Sequence, residues 1–321
     1  RIFNLSFEVF FVCKLFTKIR INIKLCMLKS RNWIYLDLEK TGCTFLRRKL
    51  LKIYSQDYFE IAQKHQPLKY NYSIPKIITI REAESYYYSL WSYGLNKKGG
   101  LYKIIRLIYP EKIDFFYKSA SKDSFSYFLD FALSVPYRYP KIRFSRKNIL
   151  NMIFNLHLLK SPSNKKIESQ RNYLSRLFLQ EKWLPDSCDI YTARILEMLI
   201  AKSERVDFIN NLKADLSYEN LNKNLKIYIP EIIIRTNSLN KDFYTYYQNN
   251  KLNFLNLPKG WKHIFSLKDI PINKSSNSSN KLKSKNLEKY LSNYHKDLIR
   301  SKSNLANLLL DKAEEKLKTE N

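Results

Sequence analysis

Residues 33–54 read WIYLDLEKTGCTFLRRKLLKIY. The opening run, Trp33-Ile34-Tyr35-Leu36, is β-branched and aromatic, the composition of a buried strand. A polar turn follows, Glu39-Lys40-Thr41-Gly42-Cys43-Thr44. Beyond Thr44 the period becomes helical, with Phe45, Leu46, Leu50 and Ile53 on one side and Arg47, Arg48, Lys49 and Lys52 on the other. A strand, a tight turn carrying Lys, Gly and Thr, and a helix together suit a phosphate group. Backbone N–H groups at a helix start face the anion, and Gly42 lets the backbone approach it closely. Lys40 adds a mobile positive charge, and Thr41 and Thr44 add hydroxyl donors. The turn is not a Walker A loop, in which the lysine follows the second glycine. Here Lys40 precedes Gly42, and five glycines in the whole chain leave no room for another copy. A Lys-Thr-Gly turn also serves as an ordinary strand-to-helix connection, so the rest of the chain has to decide.

A chain of 321 residues can bury a substantial core, and 45% hydrophobic with 15% aromatic residues describes a folded protein. Its formal charge of +28 favours anionic partners, from nucleic acid to a phosphorylated cofactor. The chain is also crowded with Asn, Ile and Tyr, a bias that raises Lys without selection for binding, so the charge carries little weight. Cys13, Cys26, Cys43 and Cys188 form no C-x-x-C pair, which suggests neither zinc nor a disulfide framework and fits a reducing, cytoplasmic setting. Residues 1–26 are apolar but interrupted by Glu8, Lys14, Lys18, Arg20 and Lys24, too short a run to span a bilayer. They read as a non-native or flexible extension before Met27, with a short membrane anchor as the alternative.

Further strands are expected at Lys76–Ile80, ending on Arg81, and at Glu231–Arg235. Residues 57–70 read as irregular. Helical spacing marks Glu82–Tyr93 and, in a largely helical stretch from 96 to 229, the segments 101–118, 123–134, 146–160, 168–182 and 189–202. A Ser/Asn/Lys-rich loop covers 274–286, a last helix starts at Leu287, and a charged, frayed tail is expected from Asp311. Asp186, Cys188 and Asp189 offer too few ligands for a metal; His157, His263 and His295 read as structural. Strands separated by helices predict an α/β fold with a mostly parallel central sheet and a large helical insertion. In such sheets ligands bind at the carboxyl ends of the strands, where Lys40 and Arg81 both fall.

These residues resemble the sulfotransferase family, enzymes that use 3′-phosphoadenosine-5′-phosphosulfate (PAPS). The turn Lys40-Thr41-Gly42-Cys43-Thr44, with Phe45, is similar to the family's 5′-phosphosulfate loop. Arg81 and Ser89, eight residues apart across a strand-to-helix junction, resemble its 3′-phosphate site. Lys64-His65-Gln66-Pro67 resembles the segment that supplies a catalytic histidine. Ile234-Arg235-Thr236 with Leu239, Asp242 and Phe243, then Asn273-Lys274-Ser275-Ser276 and the helix of Tyr294 and Asp297, resemble the C-terminal part of the bacterial and carbohydrate-type branch. The likeness covers about 27–95 and 230–300 and departs at Glu39, where the family usually has proline, and at Glu82.

The resemblance implies a P-loop NTPase-like three-layer fold over residues 27–310, with 311–321 as a tail. It implies sulfuryl transfer from PAPS to a hydroxyl acceptor, a carbohydrate by the branch likeness, with no metal. Lys40 would be the catalytic cation and His65 the general base; Lys40, Thr41, Gly42, Cys43, Thr44, Phe45, Arg81 and Ser89 would bind the nucleotide, and Lys274, Ser275 and Ser276 could form a lid. The rival readings are a P-loop-like nucleotide kinase or NTPase, which needs Mg²⁺ and a Walker-type Asp, and a non-catalytic basic nucleic-acid-binding protein.

Overall fold

A computed structural model describes residues 25–54, 58–63, 68, 70–108, 112–134, 188–213, 215–265 and 287–318. It is a mixed α/β protein, mostly helical. Among the described residues five strands form one sheet: β1 (Leu25–Lys29), β2 (Ile34–Leu36), β3 (Glu60–Gln63), β4 (Lys76–Ile80) and β5 (Ile232–Arg235), in the order β3-β1-β2-β4-β5. The three strands expected from sequence, β2, β4 and β5, run parallel, with Tyr35 opposite Ile77, Ile78 opposite Ile233 and Ile80 opposite Arg235. On the other side β1 pairs antiparallel with both β2 and β3, so the sheet is mixed rather than wholly parallel.

Side chains alternate across this sheet because a strand has a period of two. Ile34, Leu36, Ile78, Ile80 and Ile233 enter one core, shared with α2 (Ala83–Leu95), α5 (Lys122–Ser134), α6 (Ile190–Leu199), α12 (Asn293–Lys302) and α13 (Asn304–Leu317). Tyr35, Ile77, Ile232 and Ile234 enter the other, under α1 (Cys43–Ile53), α9 (Leu239–Gln248) and α10 (Trp261–Ile264). Both faces are therefore covered, which is why these strands read as continuous apolar runs. The remaining helices are α3 (Gly100–Ile108), α4 (Ile113–Tyr117), α7 (Arg205–Leu212), α8 (Tyr218–Asn224) and α11 (Leu287–Tyr290). Residues of α4, α7 and α8 pack in the first core.

Several expectations change. Residues 57–70 are not irregular throughout, since β3 lies within them, and β1 runs through Met27, so a domain start at 27 falls inside a strand. The helix expected from Leu287 is broken into three. Ser292 ends the run by capping α12, its hydroxyl accepting the His295 N–H, and a further break falls at Ser303. The charged residues from Asp311 are no frayed tail: α13 continues to Leu317, with Ala313 buried and Asp311 accepting a hydrogen bond from Tyr218. Lys49, placed by its spacing on the polar side of α1, is buried and donates to the Ile264 carbonyl. The helical segments expected at 146–160 and 168–182 lie outside the described residues, as do Lys64–Pro67 and the loop containing Lys274, Ser275 and Ser276. Among the described residues no helix is long and apolar enough to cross a membrane.

Candidate anion-binding site at the carboxyl edge of the sheet

The carboxyl ends of β2, β4 and β5 are stitched together by hydroxyl groups. Thr236, just past β5, has its Oγ1 2.8 Å from the carbonyl oxygens of both Thr41 and Ile80, which share its one proton. Thr41 Oγ1 donates to the Leu38 carbonyl at 2.7 Å and lies 2.7 Å from Thr79 Oγ1, which in turn is 3.2 Å from the Tyr35 hydroxyl. Thr41, Thr79 and Tyr35 are buried and Thr236 is half-buried, and a buried polar atom without a partner is costly, so the network fixes the turn's height above the sheet. Thr41 is thus a correction to the sequence reading. Its hydroxyl points down into this network rather than outward to a ligand.

The turn itself is left-handed twice, with φ of 64° at Lys40 and 83° at Gly42. A lysine in that region is uncommon and mildly strained, a feature that gathers at binding sites. At Gly42 a side chain is excluded on two counts, the φ and a Leu239 Cδ1 that a Cβ would meet at 2.8 Å. Helix α1 then starts with no side-chain cap and no acid in its first turn. Its amino end keeps the partial positive charge that attracts an anion. Within the predicted loop, Cys43 is buried, Phe45 is half-buried and packs against the second core, and Thr44 alone is exposed.

Arg81 follows β4 directly, and its Nη1 donates to the Lys40 carbonyl at 3.1 Å, joining the two segments singled out in the sequence. Tyr191 of α6 fixes the Arg81 backbone: its hydroxyl accepts from Arg81 N at 3.0 Å and donates to Arg81 O at 2.7 Å. Among the described residues Arg81 forms no ion pair with a carboxylate. Burial pulls its pKa below the ordinary arginine value, opposed by Tyr191 and Glu82. A cation in that position gains from a bound anion.

The Lys40 ammonium lies 3.1 Å from the centroid of the Tyr93 ring, on α2. Tyr93 is one helical turn beyond Ser89, so Lys40 reaches the face of α2 that carries Ser89. Ser89 is itself half-buried. The structure therefore gathers Lys40, Gly42, Arg81 and the Ser89 face at one edge, while His65 lies outside the described residues. Glu39, the acid beside the turn, is paired: Arg194 of α6 donates to its carboxylate through Nε at 2.7 Å and Nη2 at 3.2 Å.

Sequence reasoning missed Thr79, Tyr191, Arg194 and Tyr93. Thr79, a hydroxyl inside the run KIITI, was the one local signal on offer. Other polar clusters have structural tasks. Asp189 caps α6, accepting from Thr192 N at 2.6 Å and from Ser303 Oγ at 3.1 Å. His295 bridges Ser292 at 2.7 Å and Asp130 at 2.8 Å, joining α12 to α5. Comparison of the chain with protein-family models, curated proteins and solved structures gives no significant match.

Proposed function

We propose that the protein is a PAPS-dependent sulfotransferase with a P-loop-like fold, acting on a hydroxyl acceptor, with a carbohydrate as the leading class. The observation that carries the reading is the convergence at one sheet edge of an uncapped helix start, Gly42, Lys40 and an Arg81 with no carboxylate partner among the described residues. Two cations and a helix amino end fit a nucleotide with phosphates at both ends. The donor set is free of metal chemistry in this scheme.

In the reaction, the residues of the turn bind and orient the 5′-phosphosulfate, and Arg81 with the Ser89 face of α2 takes the 3′-phosphate. Lys40 leaves the Tyr93 ring to stabilise the negative charge that grows on the departing phosphate. His65 is the candidate base that takes the proton of the acceptor hydroxyl. Positioning and electrostatics supply the acceleration, by the same logic as phosphoryl transfer.

Thermal unfolding with a panel of ligands separates the classes. Adenosine 3′,5′-bisphosphate without metal, at 100 times its Kd, should stabilise the fold by about 2.7 kcal/mol, whereas a ligand that does not bind leaves it unmoved. A shift confined to ATP with Mg²⁺ would instead favour a nucleotide kinase. A shift only with RNA or DNA, lost as salt rises, would favour a nucleic-acid-binding protein.

A further inference from the structure

Glu39 puts a carboxylate immediately before Lys40, where it would repel the anion that the loop is proposed to bind. The structure answers that charge from a distant part of the chain. Arg194 holds the Glu39 carboxylate through two nitrogens, at 2.7 and 3.2 Å, and reaches Glu197 on its own helix with Nη1. The ion pair is largely withdrawn from water, with side-chain exposures of 14% for Arg194 and 21% for Glu39. Glu197 is buried, which raises its carboxyl pKa, and the neighbouring charges of Arg194 and Arg205 oppose that rise. Glu39 and Arg194 thus form a neutral pair beside the loop, and the Arg205 charge lies near Glu197.

Tyr191 lies three residues before Arg194, on the same side of α6, and grips the backbone of Arg81. Its ring is fully buried and stacks on Tyr86 with centroids 3.8 Å apart, which leaves the hydroxyl no freedom to wander. One helix from the middle of the chain thus touches both segments of the candidate site.

We propose that Arg194 is a positioning and charge-masking residue of the anion site, its guanidinium cancelling Glu39 so that the Lys40 turn accepts an anion. The proposal rests on the anion-binding reading of the turn. Arg194 acts through Glu39 and does not touch the ligand.

Titration calorimetry with adenosine 3′,5′-bisphosphate and, separately, inorganic pyrophosphate tests it on four proteins: wild type, Glu39→Gln, Arg194→Gln and the double variant. Loss of the Arg194 charge from Glu39, next to a bound phosphate, should weaken binding in Arg194→Gln by at least about tenfold. Removing that carboxylate as well should return the double variant to within about threefold of wild type, a rescue that a purely structural arginine does not give. If Arg194→Gln fails to fold, Glu39→Gln against the double variant decides, and equal affinity within about threefold supports the proposal. Wild-type affinity in Arg194→Gln, or a double variant that binds at least about tenfold more weakly than Glu39→Gln, overturns it. Pyrophosphate binding that follows the predicted pattern, with no binding of the nucleotide, would sink the sulfotransferase reading and leave this proposal standing. Failure of both anions to bind wild type overturns both.

Discussion

Two arginines stand side by side at the carboxyl edge of the sheet, and their surroundings differ. Arg235 ends β5, opposite Ile80; Arg81 follows Ile80 on the neighbouring strand. Arg235 is paired with two acids. Its Nε and backbone N donate to Asp242 Oδ2 at 3.0 and 2.8 Å, Nη2 to Oδ1 at 2.9 Å, and Nη1 to Glu314 at 3.2 Å. The hydrogen bonds with Asp242 lift its pKa, whereas burial lowers that of Arg81. Arg81 is held by neutral groups, a carbonyl and a tyrosine hydroxyl. A guanidinium whose charge is already answered ties α9 and α13 to the sheet. One hydrogen-bonded to neutral groups alone is the one proposed to take a phosphate. Position at a strand end does not distinguish the two; the partner does.

The largest expected effect is on the paired arginine. Arg235→Ala leaves the fully buried Asp242 carboxylate without its counter-ion, and urea unfolding should register a loss of about 3 kcal/mol. A loss under about 1 kcal/mol would erase the contrast. Gly42→Ala comes next: the left-handed φ and the Leu239 side chain together should cost about 1–2 kcal/mol and weaken nucleotide binding, as measured by unfolding with and without ligand. Thr236→Val, which removes the hydroxyl shared by the Thr41 and Ile80 carbonyls, should cost about 1 kcal/mol on the same assay. The smallest change in stability belongs to Arg81→Ala. Relief of a buried charge offsets the lost bond to Lys40, and the net should stay within about 1 kcal/mol of zero while ligand-induced stabilisation disappears.

What could be read in the sequence divides along the same line between local and distant partners. WIYL, KIITI and EIIIR announced β2, β4 and β5 because strands buried on both faces must be continuously apolar. EIAQ, four residues without a β-branched pair, gave no such signal for β3, and the sheet completes it through β1. The C-terminal helix misled because Leu287, Tyr290, Leu291, Tyr294 and Leu298 keep helical spacing across a break at Ser292. At the site, Lys40, Gly42 and Arg81 were legible from strand ends and turn chemistry. Tyr191 and Arg194 were not, since their partners lie 110 and 155 residues away. The Thr41 hydroxyl was misjudged for two reasons: its proton goes back to the Leu38 carbonyl within the turn, and its oxygen faces Thr79 on β4.

The most direct test of the account is a crystal structure of the protein with adenosine 3′,5′-bisphosphate. The expected result is the 5′-phosphate against the backbone at Gly42–Thr44, the Lys40 ammonium drawn off the Tyr93 ring, and the 3′-phosphate on Arg81. A nucleotide bound elsewhere, or Arg81 left without a phosphate at saturating ligand, would contradict it.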